Sequence, residues 1–204
     1  ASARRQDRDF LLYLGRSPED VGISVQSHRR VGEDGTFLLA LAPRTDVAAA
    51  DAVPRDVVFV LDTSGSMQGE KIEQARRSLL HGIATLAPQD RFNVVSFSTA
   101  LRPFRDALLP ATAEAKAAAA TWIAGLSAEG GTNLEAALSR AVSLPSDGRL
   151  FLVVLLTDGR PTVGVQDAGS LVKNVVDANR GNARIFTFGV GHDLDVGLLD
   201  RIAE

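Results

Sequence analysis

The feature that most restricts the fold is a continuous apolar run, Val57-Val58-Phe59-Val60-Leu61, that ends directly on Asp62. A strand solvated on one face alternates polar and apolar residues, whereas a strand without polar positions has to be covered on both faces. Phe151-Leu152-Val153-Val154-Leu155-Leu156 repeats the signal, and Ile185-Phe186-Thr187-Phe188-Gly189-Val190 repeats it less cleanly. Phe92-Asn93-Val94-Val95-Ser96-Phe97 reads as a further strand. Helical periods fill the gaps. Ile72, Ala75, Leu79, Ile83 and Leu86 share one face, as do Ala115, Ala119, Trp122, Ile123 and Leu126. Leu134, Ala137, Leu138, Ala141 and Val142 fit the i, i+3, i+4, i+7, i+8 template, and so do Ala168, Leu171, Val172, Val175 and Val176. Strands alternating with helices predict an α/β fold, a doubly wound and mostly parallel sheet with helices on both faces.

The front of the chain follows a different grammar. From Asp9 to Pro43 short apolar runs are broken by turn residues, which predicts strands at 10–14, 23–27 and 37–41. Ala42 to Pro54, with two prolines and an Ala/Asp tract, reads as a linker. The expected organisation is therefore a β-rich segment with linker over 1–54 and the α/β domain over 55–204. The last helix carries Leu198, Leu199 and Ile202 and reaches Glu204 without a C-cap glycine, so it is expected to be cut short. A first residue other than methionine points to a processed form or an excised fragment.

Composition narrows the function classes. Hydrophobic residues make up 45% and charged residues 23%, so enough apolar side chains exist to build a core. A net charge of −3 gives no electrostatic footprint for nucleic acid or an anionic membrane surface. The longest apolar runs, six to seven residues, are far short of a membrane span. Cysteine is absent, which removes disulfides, thiol catalysis and cysteine-ligated zinc or iron–sulfur sites.

In open α/β sheets ligands bind just beyond the carboxyl ends of the parallel strands. The first buried strand runs into Asp62-Thr63-Ser64-Gly65-Ser66, and the run at 151–156 leads into Thr157-Asp158-Gly159. A third loop, Glu129-Gly130-Gly131-Thr132-Asn133, precedes a strong helical period. Asp62, Ser64, Ser66, Thr132 and Asp158 thus gather on one rim as hard oxygen donors without sulfur or imidazole. Such a set selects magnesium, calcium or manganese over zinc or copper. Two carboxylates against a divalent cation leave a centre that still attracts another carboxylate.

Asp62-x-Ser64-x-Ser66, Thr132 after two glycines, and Asp158 in Leu156-Thr157-Asp158-Gly159 resemble the metal-ion-dependent adhesion site of von Willebrand factor A domains. The resemblance covers roughly residues 55–204 and every motif position. It implies a Rossmann-like fold and a bound divalent cation, magnesium before calcium or manganese, whose coordination an acidic residue of a partner protein completes. The front of the chain, with Asp9-Phe10 and Phe37-Leu38-Leu39-Ala40-Leu41-Ala42-Pro43, is similar to inter-alpha-trypsin inhibitor heavy chains and their bacterial relatives. That similarity implies an extracellular, periplasmic or cell-surface setting; no residue set in the sequence supports acyl, redox or hydride chemistry, so a non-enzymatic role is expected.

Each motif residue also has a plainer role. Thr132-Asn133-Leu134-Glu135 fits a helix capping box. Ser64 and Ser66 fit turn positions or an N-cap for a helix near Gly69, and both aspartates fit strand-end turns. Coincidence at the correct strand ends favours the site. Gly65-Ser66-Met67-Gln68-Gly69-Glu70-Lys71 fails as a phosphate loop because its glycine spacing is short and Glu70 precedes the lysine. Gly189-Val190-Gly191-His192-Asp193-Leu194 lacks the third glycine of a dinucleotide fingerprint. His28, His81 and His192 lie far apart in sequence, and Trp122 sits on an apolar stripe. An enzymatic alternative is a magnesium-dependent phosphotransferase or phosphatase with Asp62 as nucleophile. It would need an acid–base aspartate where Ser64 stands, and a lysine such as Lys71. A structural domain with a vestigial site is the remaining reading. Rim loops at Met67-Gln68-Gly69, Arg160-Pro161-Thr162 and Gly191-His192-Asp193 are the expected partner contacts.

Overall fold

The computed structural model describes residues 21–28, 34–43, 53–191 and 194–204. The chain divides into two compact units, 1–52 and 53–204. In the first, β1 (Val21–His28) and β2 (Thr36–Pro43) form an antiparallel hairpin. Its register pairs Ile23 with Leu41, Val25 with Leu39 and Ser27 with Phe37, so the period-two apolar residues fall on one face. The two strands enclose the expected 23–27 and 37–41 segments. The expected strand at 10–14 and most of the 42–54 linker lie outside the described residues.

The second unit is the doubly wound sheet. In chain order it contains β3 (Arg55–Asp62), α1 (Glu70–Ala84), β4 (Arg91–Phe97), β5 (Leu101–Pro103), β6 (Leu109–Pro110), α2 (Ala113–Ala124), α3 (Leu134–Val142), β7 (Leu150–Thr157), α4 (Ala168–Ala178), β8 (Arg184–Gly189) and α5 (Val196–Ala203). Strand order is β5-β4-β3-β7-β8, with β6 also on β4; β4, β3, β7 and β8 run parallel. β5 and β6 pair antiparallel with β4, which makes the sheet mixed. Their two or three residues carry no readable periodicity, and Pro103 and Pro110 are tolerated on so short an edge.

The apolar runs divide between two cores. Val58 and Val60 pack with Val153, Leu155 and the buried residues of α3, α4 and α5. Val57, Phe59 and Leu61 point the other way, into a cluster with Ile72, Leu79 and Ile83 of α1 and Ile123 of α2. Every expected apolar position of α3 is fully buried. Leu86 and Leu126 are buried too, but just beyond the ends of their helices. On α4 only Leu171 and Val175 are buried, and Val176 is 65% exposed. Phe186 and Phe188 on β8 are also about half exposed, while Ile185 and Thr187 on the other face of the strand are partly buried. Trp122 is half-buried against Phe104, ring centroids 5.6 Å apart.

This topology fixes the position of the site. From β3 the chain goes to β4 on one side, then returns to β7 on the other, so the order reverses between β3 and β7. The ends of neighbouring loops diverge there and leave a crevice at the carboxyl rim. The register pairs Leu61 with Leu156, which brings Asp62 and Thr157-Asp158 out side by side.

Candidate metal centre

The β3 carboxyl end stops on Asp62, which is fully buried. One carboxylate oxygen accepts from the Ser64 backbone N–H at 2.8 Å, an Asx-type turn that swings the chain across the rim. The other accepts from the Thr157 hydroxyl at 2.5 Å. Burial pushes the Asp62 carboxyl above its usual range; the hydrogen bonds from Thr157 and Ser64 oppose this, and nearby Asp158 adds to it.

The turn continues as a short 3-10 segment, Gly65–Met67, whose Met67 side chain is wholly buried in the α1-side core. That anchor holds Ser64 and Ser66 over the strand ends. Their hydroxyls lie 3.1 Å apart, and Ser66 donates to Asp158 Oδ1 at 2.8 Å. Buried Met67 is therefore unavailable to a partner, whereas Gln68 and Gly69 of the same loop are exposed. In the Arg160-Pro161-Thr162 loop, Arg160 stays largely exposed beside Asp195, whereas Thr162 is engaged internally. His192 and Asp193 lie outside the described residues.

Thr132 reaches the rim through its loop. Gly65 N–H donates to the Gly130 carbonyl at 2.9 Å and Glu129 N–H to the Thr63 carbonyl at 2.8 Å, stitching that loop to the Asp62–Ser66 turn. Gly130 has φ +78, and a Cβ there would sit 2.8 Å from Thr99 Oγ1; at Gly131 a Cβ would lie 2.6 Å from Val163. Gly130 is favoured by its positive φ and both glycines by the side chains packed against them, Thr99 at Gly130 and Val163 with Thr162 at Gly131. The main chain of Thr132 is held by Thr162: its N–H donates to Thr162 Oγ1 at 2.9 Å, and its carbonyl accepts from Thr162 N–H at 3.0 Å. The N-cap of α3 is Asn133 and makes no side-chain cap bond. Glu135 instead accepts from Ser139. The capping box is thus not formed, nor do Ser64 or Ser66 cap α1, whose N-cap is Gly69.

Two neighbours join the set that the motif does not contain. Thr157 has a readable signal as a lone hydroxyl closing an apolar strand. Lys71, in the first turn of α1, donates from Nζ to Asp158 Oδ2 at 2.6 Å. The sequence shows Lys71 on a neighbouring helix but not its partner, because the contact spans 87 residues.

Among the described residues, no group of three or more acidic or imidazole side chains is placed to hold a metal ion. Any capacity of this rim rests on two carboxylates supplemented by hydroxyls. By donor chemistry Asp62, Ser64, Ser66, Thr132 and Asp158 fit a hard divalent cation. The carboxylates supply charge, and the neutral hydroxyls add ligands without quenching it further.

The chain is 38% identical over 180 residues to inter-alpha-trypsin inhibitor heavy chain H4 of Homo sapiens, a match covering 84% of this chain and 19% of that protein. Heavy chain H1 of Sus scrofa is 37% identical over 155 residues, 72% of this chain and 17% of that one. The chain therefore spans about a fifth of the length of these relatives. Among solved structures, a von Willebrand factor type A protein from Catenulispora acidiphila superposes with a TM-score of 0.71 at 21% identity, covering 90% of this chain and 43% of that one. Proximal thread matrix protein 1 of the mussel byssus, described with a zinc-occupied MIDAS motif, gives 0.61 at 21% identity over 74% of this chain and 39% of that one. The von Willebrand factor type A domain model matches residues 55–204, and by that match the chain belongs to the von Willebrand factor type A domain family.

Proposed function

We propose that this chain is a protein-binding module dependent on a divalent cation, held by Asp62, Ser64, Ser66, Thr132 and Asp158. The observation that carries the reading is the hydrogen-bonded chain from Thr157 through Asp62, Ser64 and Ser66 to Asp158 at the topological switch point. A bound cation supplies positive charge and an exchangeable position for a carboxylate. Asp62 and Asp158 balance its charge. Thr157 fixes the orientation of Asp62, and Met67 anchors the serine turn. Thr162 holds the main chain of Thr132 beside them. In our reading the partner is a protein presenting an acidic residue, the cation is magnesium before calcium or manganese, and the setting is extracellular, periplasmic or cell-surface. The mussel protein's zinc supports a divalent ion at the corresponding rim of this fold.

The phosphotransferase alternative gains a lysine near Asp158 but lacks its acid–base group. Ser64 stands where that chemistry wants an acid–base carboxylate.

Titrating magnesium and manganese by calorimetry into the wild type and Asp62→Ala tests the reading. Binding to the wild type with about one ion per chain, lost in the variant with the apo fold retained, is the expected result. Absence of binding to the wild type would refute it. Turnover of an aryl phosphate dependent on Asp62 would move the chain to the enzymatic alternative.

A further inference from the structure

We infer that Lys71 sets the charge of this site, weakening its hold on the cation while strengthening the hold of the occupied site on an anionic partner. The inference rests on the cation-binding reading proposed above.

The two oxygens of Asp158 are divided between two neighbours. Oδ1 accepts from the Ser66 hydroxyl at 2.8 Å, on the side of the serine turn, and Oδ2 accepts from Lys71 Nζ at 2.6 Å. Asp158 can therefore offer Oδ1 as a ligand without breaking its ion pair on Oδ2. The Asp158 side chain is 1% exposed and that of Lys71 35%, so water screens the pair incompletely. The ammonium stays beside the ligand set.

Its placement goes against the local electrostatics of the helix. Lys71 occupies the first turn of α1, where the positive end of the helix dipole disfavours a cation. Its stem also passes close to Gly191, where a Cβ would approach Lys71 Cε to 3.0 Å. Asp158 is the ion-pair partner that offsets this cost. The acidic side chains of the same turn do not take its place: Glu73 pairs with Arg76, and Glu70 is exposed.

The consequence follows from counting charge. A divalent cation with Asp62 and Asp158 sums to zero, and Lys71 raises the total to +1. A fixed positive charge repels the cation and attracts a carboxylate, so removing it shifts the two affinities in opposite directions. A salt bridge that only positioned Asp158 would give a different result, since its loss would weaken the cation as well.

The test compares the wild type with Lys71→Met, which keeps the stem, and Lys71→Arg, which keeps the charge. Calorimetry gives magnesium and manganese affinities. Acetate titrated into the manganese-loaded protein, followed by water proton relaxation, gives the affinity for a carboxylate. The Met variant should bind magnesium up to about tenfold more tightly and acetate more weakly by a similar factor, with Lys71→Arg near the wild type. Acetate affinity of the loaded wild type should also fall as sodium chloride is raised, a measurement that needs no variant. Weaker or unchanged magnesium affinity in a folded Met variant overturns the inference alone, as does acetate affinity indifferent to salt. If neither the wild type nor any variant binds metal, the cation-binding reading fails and this inference with it.

Discussion

Thr157 donates a hydrogen bond from its hydroxyl to the buried carboxylate of Asp62 across 2.5 Å, tying the end of β7 to the end of β3 at the point where the sheet order reverses. A carboxylate with no exposed surface loses a full hydrogen bond if that donor is removed, and no solvent is there to replace it. Thr157→Val should therefore lower apo stability by about 1–3 kcal/mol. It should also weaken cation affinity, because Asp62 is then oriented by the Ser64 N–H alone. Thr157→Ser keeps the donor and should behave like the wild type in both respects. Urea denaturation and metal calorimetry on the pair check this; a Val variant as stable as the wild type would show that the contact contributes little.

The loop carrying Thr132 depends on Gly130. Its φ of +78 costs a residue with a Cβ about 1–2 kcal/mol, and the added methyl would press on Thr99 Oγ1. Because the Gly130 carbonyl receives the Gly65 N–H, movement there is passed to the Asp62–Ser66 turn. Gly130→Ala should lose that stability and also bind cations more weakly. Gly148 offers a control, since its φ is +74 and nothing lies near its Cβ. Gly148→Ala should lose comparable stability with cation affinity unchanged. Equal affinity losses in both variants would show that the effect is global rather than transmitted through the loop.

Five monodentate oxygens leave an octahedral ion one position short, so the bound cation should keep at least one exchangeable water. Water proton relaxation on the manganese-loaded protein reads this directly. An ion with no exchangeable water would leave no room for a partner's carboxylate and would count against the adhesion reading.

Much of this was legible from the residues because the apolar runs at 57–61 and 151–156 leave their strands one environment, a sheet covered on both faces. Once those strands are parallel, their carboxyl ends share a rim, and Asp62 and Asp158 must lie near each other. Less legible were features set by distant contacts. β5 and β6 are too short for a period, and the burial of Met67 depends on a core formed by α1 and β3. Lys71 meets Asp158 only because α1 starts beside the end of β7. The capping box at Thr132 is a local pattern overridden by tertiary contacts, since Thr162 holds that residue's backbone and the helix begins one residue later.

The opposite rim of the sheet gives a prediction independent of any cation. Asp56, at the start of β3, is fully buried and accepts from Arg91 Nε at 2.8 Å, Arg91 Nη2 at 2.7 Å and Ser146 Oγ at 2.7 Å. Burial alone would raise its pKa. The hydrogen bonds from Arg91 and Ser146, with the charges of Arg91 and Arg149, outweigh burial and leave it below the usual 3.8. Asp90 behaves alike: burial is overcome by Arg55 and by the backbone N–H groups of Ala87 and Arg55. A carboxyl whose folded pKa is depressed contributes stability that is fully present above 3.8 and is lost as pH falls below 3.8 through the folded value. These two carboxyls should therefore withdraw stability as the pH falls below 3.8, against the opposite contribution of Asp62, whose charged form burial disfavours. Asp56→Asn removes the buried partner of Arg91, which keeps its exposed pair with Asp147, and should cost about 1–3 kcal/mol at neutral pH. Because the variant no longer has that carboxyl to protonate, its stability should fall less steeply below pH 3.8 than that of the wild type. Urea midpoints measured from pH 2 to 6 on both proteins provide the comparison. Parallel curves would show that the Asp56–Arg91 pair does not govern the acid limb.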